Sequence, residues 1–351
     1  MFGSYLPDDV EILLKDITGL VEPLPASERE PLIQRGVHYC EMLPLEYVPT
    51  GQYMRLFEDA LTRYAAMTAD AVAAVSGQII RARGEHAVLV SLARAGTPVG
   101  ILIKRYIKMR YGYDVPHYTV SIIRGRGIDK NAMDFILSKH SAREIQFVDG
   151  WTGKGAIQRQ LNEAMADYPG VEPGLAVLSD PARVAGLCGT YDDLYIASSC
   201  LNSTVSGLLS RTFLRPDLIG PGDYHGAAFY SELKEQDVTY KFIDSIVSCF
   251  DLKKNYAAPV PENGDGDGLA ETEEIARTFG VRDINLVKPG IGEATRVLLR
   301  RVPWKILVRD LDDAAHLGHL YQLAKEKGVE VVQYPLRCYR ACGIIQEMAD
   351  T

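Results

Sequence analysis

The chain has 351 residues, 38 Lys and Arg against 46 Asp and Glu, a formal charge of −8, and 47% hydrophobic and 24% charged residues. That length exceeds what one hydrophobic core usually supports and points to two or three domains, while the composition excludes a disordered or fibrous chain. The net charge excludes a protein coated in basic surface for unspecific nucleic-acid binding.

The start, MFGSYLPDDVEILLKD, has acids where a secretory leader carries cations, and no apolar run that follows is long enough to span a bilayer. A cytoplasmic protein without membrane contact is expected. Apolar positions at helical spacing in DVEILLKDI (9–17) and from Tyr53 to Val75 predict a helical N-terminal extension over residues 1–84. The runs AVLVS (87–91), YTVSII (118–123), IQFVD (145–149), LAVL (175–178) and LYIAS (194–198) then alternate with helical stretches. Such alternation predicts a mainly parallel sheet with helices on both faces, over 85–256.

Two strand-to-helix turns have the residue types that hold anions. EIQFVDGWTGKGAI (144–157) ends a strand at Asp149 and opens a helix near Lys154, with glycines between. Unpaired N–H groups at a helix start, close approach at glycine and the helix dipole all favour phosphate there. The spacing is not that of GxxxxGK[ST], and no GxGxxG follows the first strand. SLARAGTPVG (91–100) repeats the architecture, and Arg94 to Lys130 carries eight Lys and Arg against two Asp and Glu. Two such loops at the C-terminal ends of parallel strands can hold the two ends of one polyphosphorylated molecule. The hydroxyl-rich stretch DDLYIASSCLNSTVSGLLSRTF (192–213) is expected at the same edge, as a pocket for an acceptor.

Six scattered cysteines without CxxC spacing argue against a disulfide framework or structural zinc. Prolines and glycines in AAPVPENGDGDGLAET (257–272) mark a linker over 257–270. Asn263, Asp265, Asp267, Gly268 and Glu274 match calcium-loop spacing, but Pro259 and Pro261 break the helix that such a loop needs before it. Beyond it, INLVK (284–288), a helix from Ile291, KILVRD (305–310), a helix from His316 to Lys327, VEVVQY (329–334) and a last helix predict a small α/β sandwich over 271–351.

SLARAGTPVG resembles the pyrophosphate loop, and FVDGWTGKG the phosphoribosyl-diphosphate loop, of type I phosphoribosyltransferases. The resemblance implies pyrophosphate at Arg94, Ala95, Gly96 and Thr97, ribose hydroxyls at Asp149, and a 5′-phosphate at Thr152, Gly153, Lys154 and Gly155. It also implies magnesium bridging sugar and pyrophosphate. Arg124 and Arg126, in SIIRGRGID after the next strand, are candidates for stabilising the leaving group and join Asp149 as the candidate catalytic groups. Asp149 departs from the family pattern in lacking an adjacent acid. KPGIGEATRVLLRRVPWKILVRD (288–310) resembles the Pelota and kink-turn-binding superfamily, which implies RNA contacts at Gly290, Gly292, Glu293 and Arg296. Arg300, Arg301, Lys305 and Arg309 extend that basic edge.

The chain as a whole resembles the phosphoribosyltransferase-like proteins of tellurium-resistance and stress operons, in which a Pelota-type domain follows. The expected fold is therefore α/β, a type I phosphoribosyltransferase-like mainly parallel sheet with a helical extension and a Pelota-type sandwich. The expected function is magnesium-assisted glycosyl transfer from phosphoribosyl diphosphate to a base or RNA-linked acceptor. Two alternatives stand beside it: a non-catalytic nucleotide sensor with an RNA-binding tail, and a cysteine protease. Related families carry the name cysteine protease StiP, and Cys200 with His225 would then supply nucleophile and base.

Overall fold

Residues 2–261 and 266–346 are described in the computed structural model of the chain. Short strands β1 (Glu11–Ile12) and β2 (Lys15–Asp16) precede helices α1 (Ala26–Gln34) and α2 (Gly51–Arg83). Strands and helices then alternate: β3 (Val88–Ala93), α3 (Gly96–Tyr111), β4 (His117–Ile123), β5 (Gly127–Ile128), α4 (Lys130–Lys139), β6 (Ile145–Val148), α5 (Ala156–Met165), β7 (Leu175–Ser179) and β8 (Leu187–Thr190). After β9 (Gly226–Ala227) and α6 (Thr239–Val247) come α7 (Gly268–Thr278), β10 (Val287–Pro289), α8 (Ile291–Arg300), β11 (Pro303–Val308), α9 (Ala314–Lys327), β12 (Glu330–Gln333) and β13 (Ala341–Ile345).

The central sheet runs β1-β4-β3-β6-β7-β8, all parallel, with β5 antiparallel on β4. Its middle strands are buried on both faces, which is why they read as unbroken apolar runs. Leu89, Val148 and Ala176 face α2 and α3, whereas Val88, Val90, Phe147 and Val177 face α4 and α5. The 33-residue α2 starts at Thr50, whose hydroxyl accepts the Tyr53 N–H, and its alanine-rich stripe lets it lie close to the sheet. The contact is closest at β8, where a Cβ on Gly189 would stand 2.4 Å from the Ala71 carbonyl oxygen.

The second sheet, β10-β13-β11-β12, is covered by α8 and α9. One apolar cluster joins the two parts: Ile291, Ala294 and Leu298 of α8 pack with Tyr195, Ile196 and α2. The C-terminal domain is therefore docked through buried surface.

Four sequence expectations change. DVEILLKDI is extended rather than helical, because Glu11 and Ile12 pair with Tyr118 and Thr119, and Lys15 and Asp16 with Gly226 and Ala227. The N-terminal extension is thus helical mainly in α1 and α2, and part of it belongs to the central sheet. LYIAS forms no strand: Ala197–Cys200 is a 3-10 turn, and the outer strand is Leu187–Thr190. INLVK opens with a 3-10 turn, Ile284–Leu286, before β10. The expected last helix is β13, a middle strand whose Gly343 lets α8 approach. Short apolar runs do not distinguish strand from helix by period, so pairing decides. In the calcium-like spacing, Asn263 and Asp265 lie outside the described residues. Of the others, Asp267 caps α7 and Glu274 pairs with Arg337 at 2.7 Å.

Gly189→Ala should lower the unfolding free energy by about 1–3 kcal/mol through overpacking against α2. Denaturant melts of the two proteins would check this, and an unchanged midpoint would mean that α2 can shift away from β8.

Candidate functional site

The chain leaves β3 toward β4 on one side and reaches β6 on the other, so the crevice between the ends of β3 and β6 is the switch point where such sheets bind ligands. Both expected anion loops meet there. A Cβ on Gly96 would lie 2.5 Å from the Val148 carbonyl oxygen, so only glycine permits the approach.

The side chains of the first loop turn inward. Arg94 donates to the Leu209 carbonyl at 2.9 Å and pairs with Glu46 at 3.0 Å, and Thr97 shares a 2.7 Å hydrogen bond with Thr119 beneath the loop. Those of the second loop are also committed. The Thr152 hydroxyl donates to Asp180 at 2.6 Å, and Asp180 also accepts the N–H groups of Val184 and Ala185. The Gly153 carbonyl accepts the Tyr339 hydroxyl at 2.7 Å. Lys154 donates to the carbonyls of Ile284 at 2.6 Å and Val287 at 3.3 Å, in the C-terminal domain. Burial, with Lys288 and Arg124 nearby, brings its pKa down to about 8. Gly155, at φ +73°, turns the chain into α5.

Asp149 accepts the Gly150 N–H at 2.8 Å, and burial pushes its carboxyl up to about 6 while Arg296 pulls the other way. Arg124 and Arg126 are exposed, and Arg126 pairs with Glu41 at 3.2 Å. Asp149 and Arg126 therefore have separate partners, and the cation that acts on the Asp149 carboxyl is Arg296. Magnesium would need oxygen donors here. Asp149 has no acidic neighbour in the loop, the Thr152 hydroxyl is engaged, and no group of three or more His, Cys, Asp or Glu among the described residues could hold a metal. This donor set does not fit a protein-held magnesium ion.

The four expected RNA contacts lie in the domain interface. Gly292 packs against Ser199, with 3.0 Å from its would-be Cβ to the Ser199 side chain. Arg296 donates to the Ser199 carbonyl at 2.9 Å, bonds Glu293 at 2.9 Å and covers the Trp151 ring at 5.6 Å. Burial would raise the Glu293 carboxyl, but Arg296 and Lys288 hold it below its ordinary value. Beside Gly290, the buried Asp193 carboxylate accepts the Ile291 N–H at 3.1 Å and the Arg340 N–H at 3.0 Å. The Arg340 guanidinium bonds Asp192 and Asp313. The DD pair at 192–193 was the one sequence signal for this clasp.

The 192–213 stretch runs between the sheet edge and α8. The Cys200 thiol meets the Tyr195 hydroxyl at 2.6 Å, and burial pushes its pKa up to about 11. His225 bonds Ser121 and receives no bond from Cys200. Among the described residues one cysteine has an imidazole within reach: His38 Nδ1 lies 2.9 Å from Cys40 Sγ. The Cys40 N–H donates to that nitrogen at 3.4 Å, and the thiol has a second acceptor in the Leu214 carbonyl at 3.6 Å. Burial raises the Cys40 pKa and Arg126 opposes it. The turn abuts the β4–β5 loop, where the Arg124 N–H donates to the Tyr39 hydroxyl at 3.0 Å. HYC (38–40) carries no spacing motif that marks a thiol–imidazole pair in the sequence.

Residues 3–247 match the family described as tellurite-like stress resistance cysteine protease StiP, and residues 267–347 match the PELOTA RNA binding domain. The chain is 37% identical over 366 aligned positions to "Cysteine protease StiP" of Acinetobacter baylyi (strain ATCC 33305 / BD413 / ADP1), covering 99% of this chain and 94% of that protein. Two crystal structures of a hypoxanthine-guanine phosphoribosyltransferase from Bacillus anthracis are similar at 17% and 14% identity. They cover 37% and 41% of this chain and 71% and 76% of theirs, with TM-scores of 0.24 and 0.23. No helix among the described residues is long and apolar enough to cross a membrane.

Because its pKa is raised to about 6, Asp193 holds its proton longer when folded than when unfolded, so its contribution to stability falls as pH rises from about 4 to about 6. Asp193→Asn does not titrate. Chemical denaturation across that window should show the stability of the wild type declining relative to the variant, and a constant or growing difference would contradict the shift.

Proposed function

Since the chain belongs to the StiP family of tellurite-like stress-resistance cysteine proteases, we propose that it is a thiol protease whose thiol–imidazole pair is Cys40 and His38. The observation that carries the residue choice is the 2.9 Å contact between Cys40 Sγ and His38 Nδ1. In this reading Nδ1 takes the thiol proton, and the thiolate attacks a peptide carbonyl carbon. The imidazolium returns the proton to the departing amine, and water then hydrolyses the thioester to acid and free thiol. Cys40 is wholly buried, and its pKa is raised, so the pair is latent while the segment around it stays closed. Arg126, which lowers the thiol pKa, favours the thiolate once the desolvation eases.

Cys40→Ser should reduce hydrolysis of a protein substrate such as casein by about a thousandfold or more, as loss of a nucleophile does. Cys200→Ser should retain activity. The reverse pattern would move the nucleophile to Cys200, and equal activity of both variants would remove the thiol mechanism.

Glycosyl transfer from phosphoribosyl diphosphate is the second reading, favoured by the meeting of two glycine-rich loops at the switch point. Thr152 and Lys154 would have to exchange their protein partners for phosphate. Pyrophosphate release on incubation with phosphoribosyl diphosphate and purine bases would support it.

The Pelota match supports RNA binding as the role of the C-terminal domain. Contact through Gly290 to Arg296 requires that face to part from Ser199. Arg340→Ala, which cuts three hydrogen bonds of the clasp, should tighten binding of a structured RNA at low salt relative to wild type. Weaker binding in a gel-shift titration would locate the RNA elsewhere.

A further inference from the structure

A cleft of about 380 Å³ opens where the C-terminal end of β8 meets the second domain. Arg183 and Tyr191 line it from the sheet side, and Arg309, Arg337 and Arg340 from the C-terminal domain. Asp192 is the one acidic residue in the lining among the described residues, so four guanidinium groups share a single carboxylate. That carboxylate is taken: Arg340 gives it two hydrogen bonds, at 3.0 and 2.7 Å, and gives a third to Asp313 at 2.9 Å.

Among the described residues, the other three arginines have no acid within the cleft. Arg309 donates Nε to the Tyr339 carbonyl at 3.1 Å and Nη2 to the Arg337 carbonyl at 2.9 Å. Those bonds fix its plane without neutralising its charge. Arg337 meets Glu274, outside the lining, through Nη2 at 2.7 Å, and both side chains of that pair are exposed. Arg183 sits in a left-handed turn, φ +59°, that Asp180 holds by accepting the Val184 and Ala185 N–H groups. Side chains other than glycine seldom adopt that backbone, and such outliers gather at ligand sites. A Cβ on Gly266 would stand 2.7 Å from Cys338 Sγ and 3.2 Å from Arg183 Cζ, so this guanidinium reaches the second domain's side of the cleft. Like charges gathered in a partly buried cleft repel one another, and an anion that bridges them removes the repulsion.

We propose that this cleft binds the diphosphate group of a small anion. A guanidinium presents a planar fork that matches phosphoryl oxygens, and the Nη1 groups of Arg309 and Arg337 have no protein acceptor among the described residues. One phosphate carries about −1.5 to −2 at pH 7, too little for three guanidinium groups, whereas two linked phosphoryl groups match them. The volume falls in the range of small-molecule sites, about 300–1,000 Å³. The cleft shares no residue with Thr152 to Gly155 and does not depend on the thiol chemistry. Because both domains supply cations, occupancy favours their docked arrangement.

The test is calorimetric titration of the full chain with inorganic pyrophosphate, ADP, orthophosphate and citrate, beside Arg183→Gln, Arg337→Gln and, as a control in the central crevice, Arg124→Gln. Pyrophosphate or ADP should bind about tenfold or more tightly than orthophosphate or citrate, and should raise the melting temperature. Tighter binding of ADP assigns the site to a nucleotide, and equal or weaker binding of ADP assigns it to free pyrophosphate. Arg183→Gln and Arg337→Gln should each weaken the better ligand by about tenfold, the loss expected for one hydrogen bond to a charged group, while Arg124→Gln leaves it unchanged. Arg337→Gln removes only an exposed ion pair from the protein, so it folds as the wild type does. No binding of either diphosphate, citrate binding as tight as theirs, a loss confined to Arg124→Gln, or undiminished affinity in both cleft variants would each overturn the proposal.

Discussion

The buried carboxylate of Asp193 is the constraint on which the arrangement of this molecule depends. It sits at the outer edge of the central sheet and accepts the first N–H of α8 and the N–H of Arg340, the residue that leads into β13. A carboxylate at a helix start meets both unpaired N–H groups and the positive end of the dipole. Ionised and desolvated, it would be costly alone, and its raised pKa records that cost. Asp192 and Arg340 pair beside it, so a local ion network holds the C-terminal domain in one register.

Once that register is set, three other contacts follow. Tyr339 reaches Gly153, Lys154 reaches the carbonyls before and within β10, and Arg300 reaches back to Asn202 and the Cys200 carbonyl. The glycine-rich loop at Asp149 to Gly155 is thereby filled by protein. Among the described residues, positive charge gathers instead at Arg211, Arg29 and Arg300, beside the Arg94–Glu46 pair.

Much of this was legible in the sequence. The four central strands are continuous apolar runs because both their faces are covered, and the linker before α7 announced itself by proline and glycine. The meeting of the Arg94 and Asp149 loops followed from strand order. Short elements were not legible: Glu11 and Ile12 are strand only because β4 offers them a free edge, and Ala341 to Ile345 is strand because β10 and β11 stand on either side. The site was half visible. Residue types foretold where glycine, lysine and threonine would be, but not that Lys154 would find carbonyls from a domain about 130 residues away in the chain. No local pattern encodes a partner at that separation.

The two thiols show how context sorts residues that composition treats alike. Cys200 lies in the hydroxyl-rich stretch that drew attention, yet its neighbour is the Tyr195 hydroxyl, and Tyr195 in turn stacks on His319 at 4.3 Å. That tyrosine separates the thiol from the imidazole, and burial keeps both Cys200 and Tyr195 neutral. Cys40 has the imidazole at 2.9 Å and a cation, Arg126, in the loop at the sheet's ligand-binding edge. What it lacks is access. In the proposed reading this enclosed thiol needs an opening motion to meet a substrate. The segment that would have to move, from His38 to Glu46, also carries the carboxylate that neutralises Arg94. Displacing Glu46 from that pair would leave Arg94 without its carboxylate, so any motion that exposes the thiol costs a largely buried ion pair that the closed form keeps.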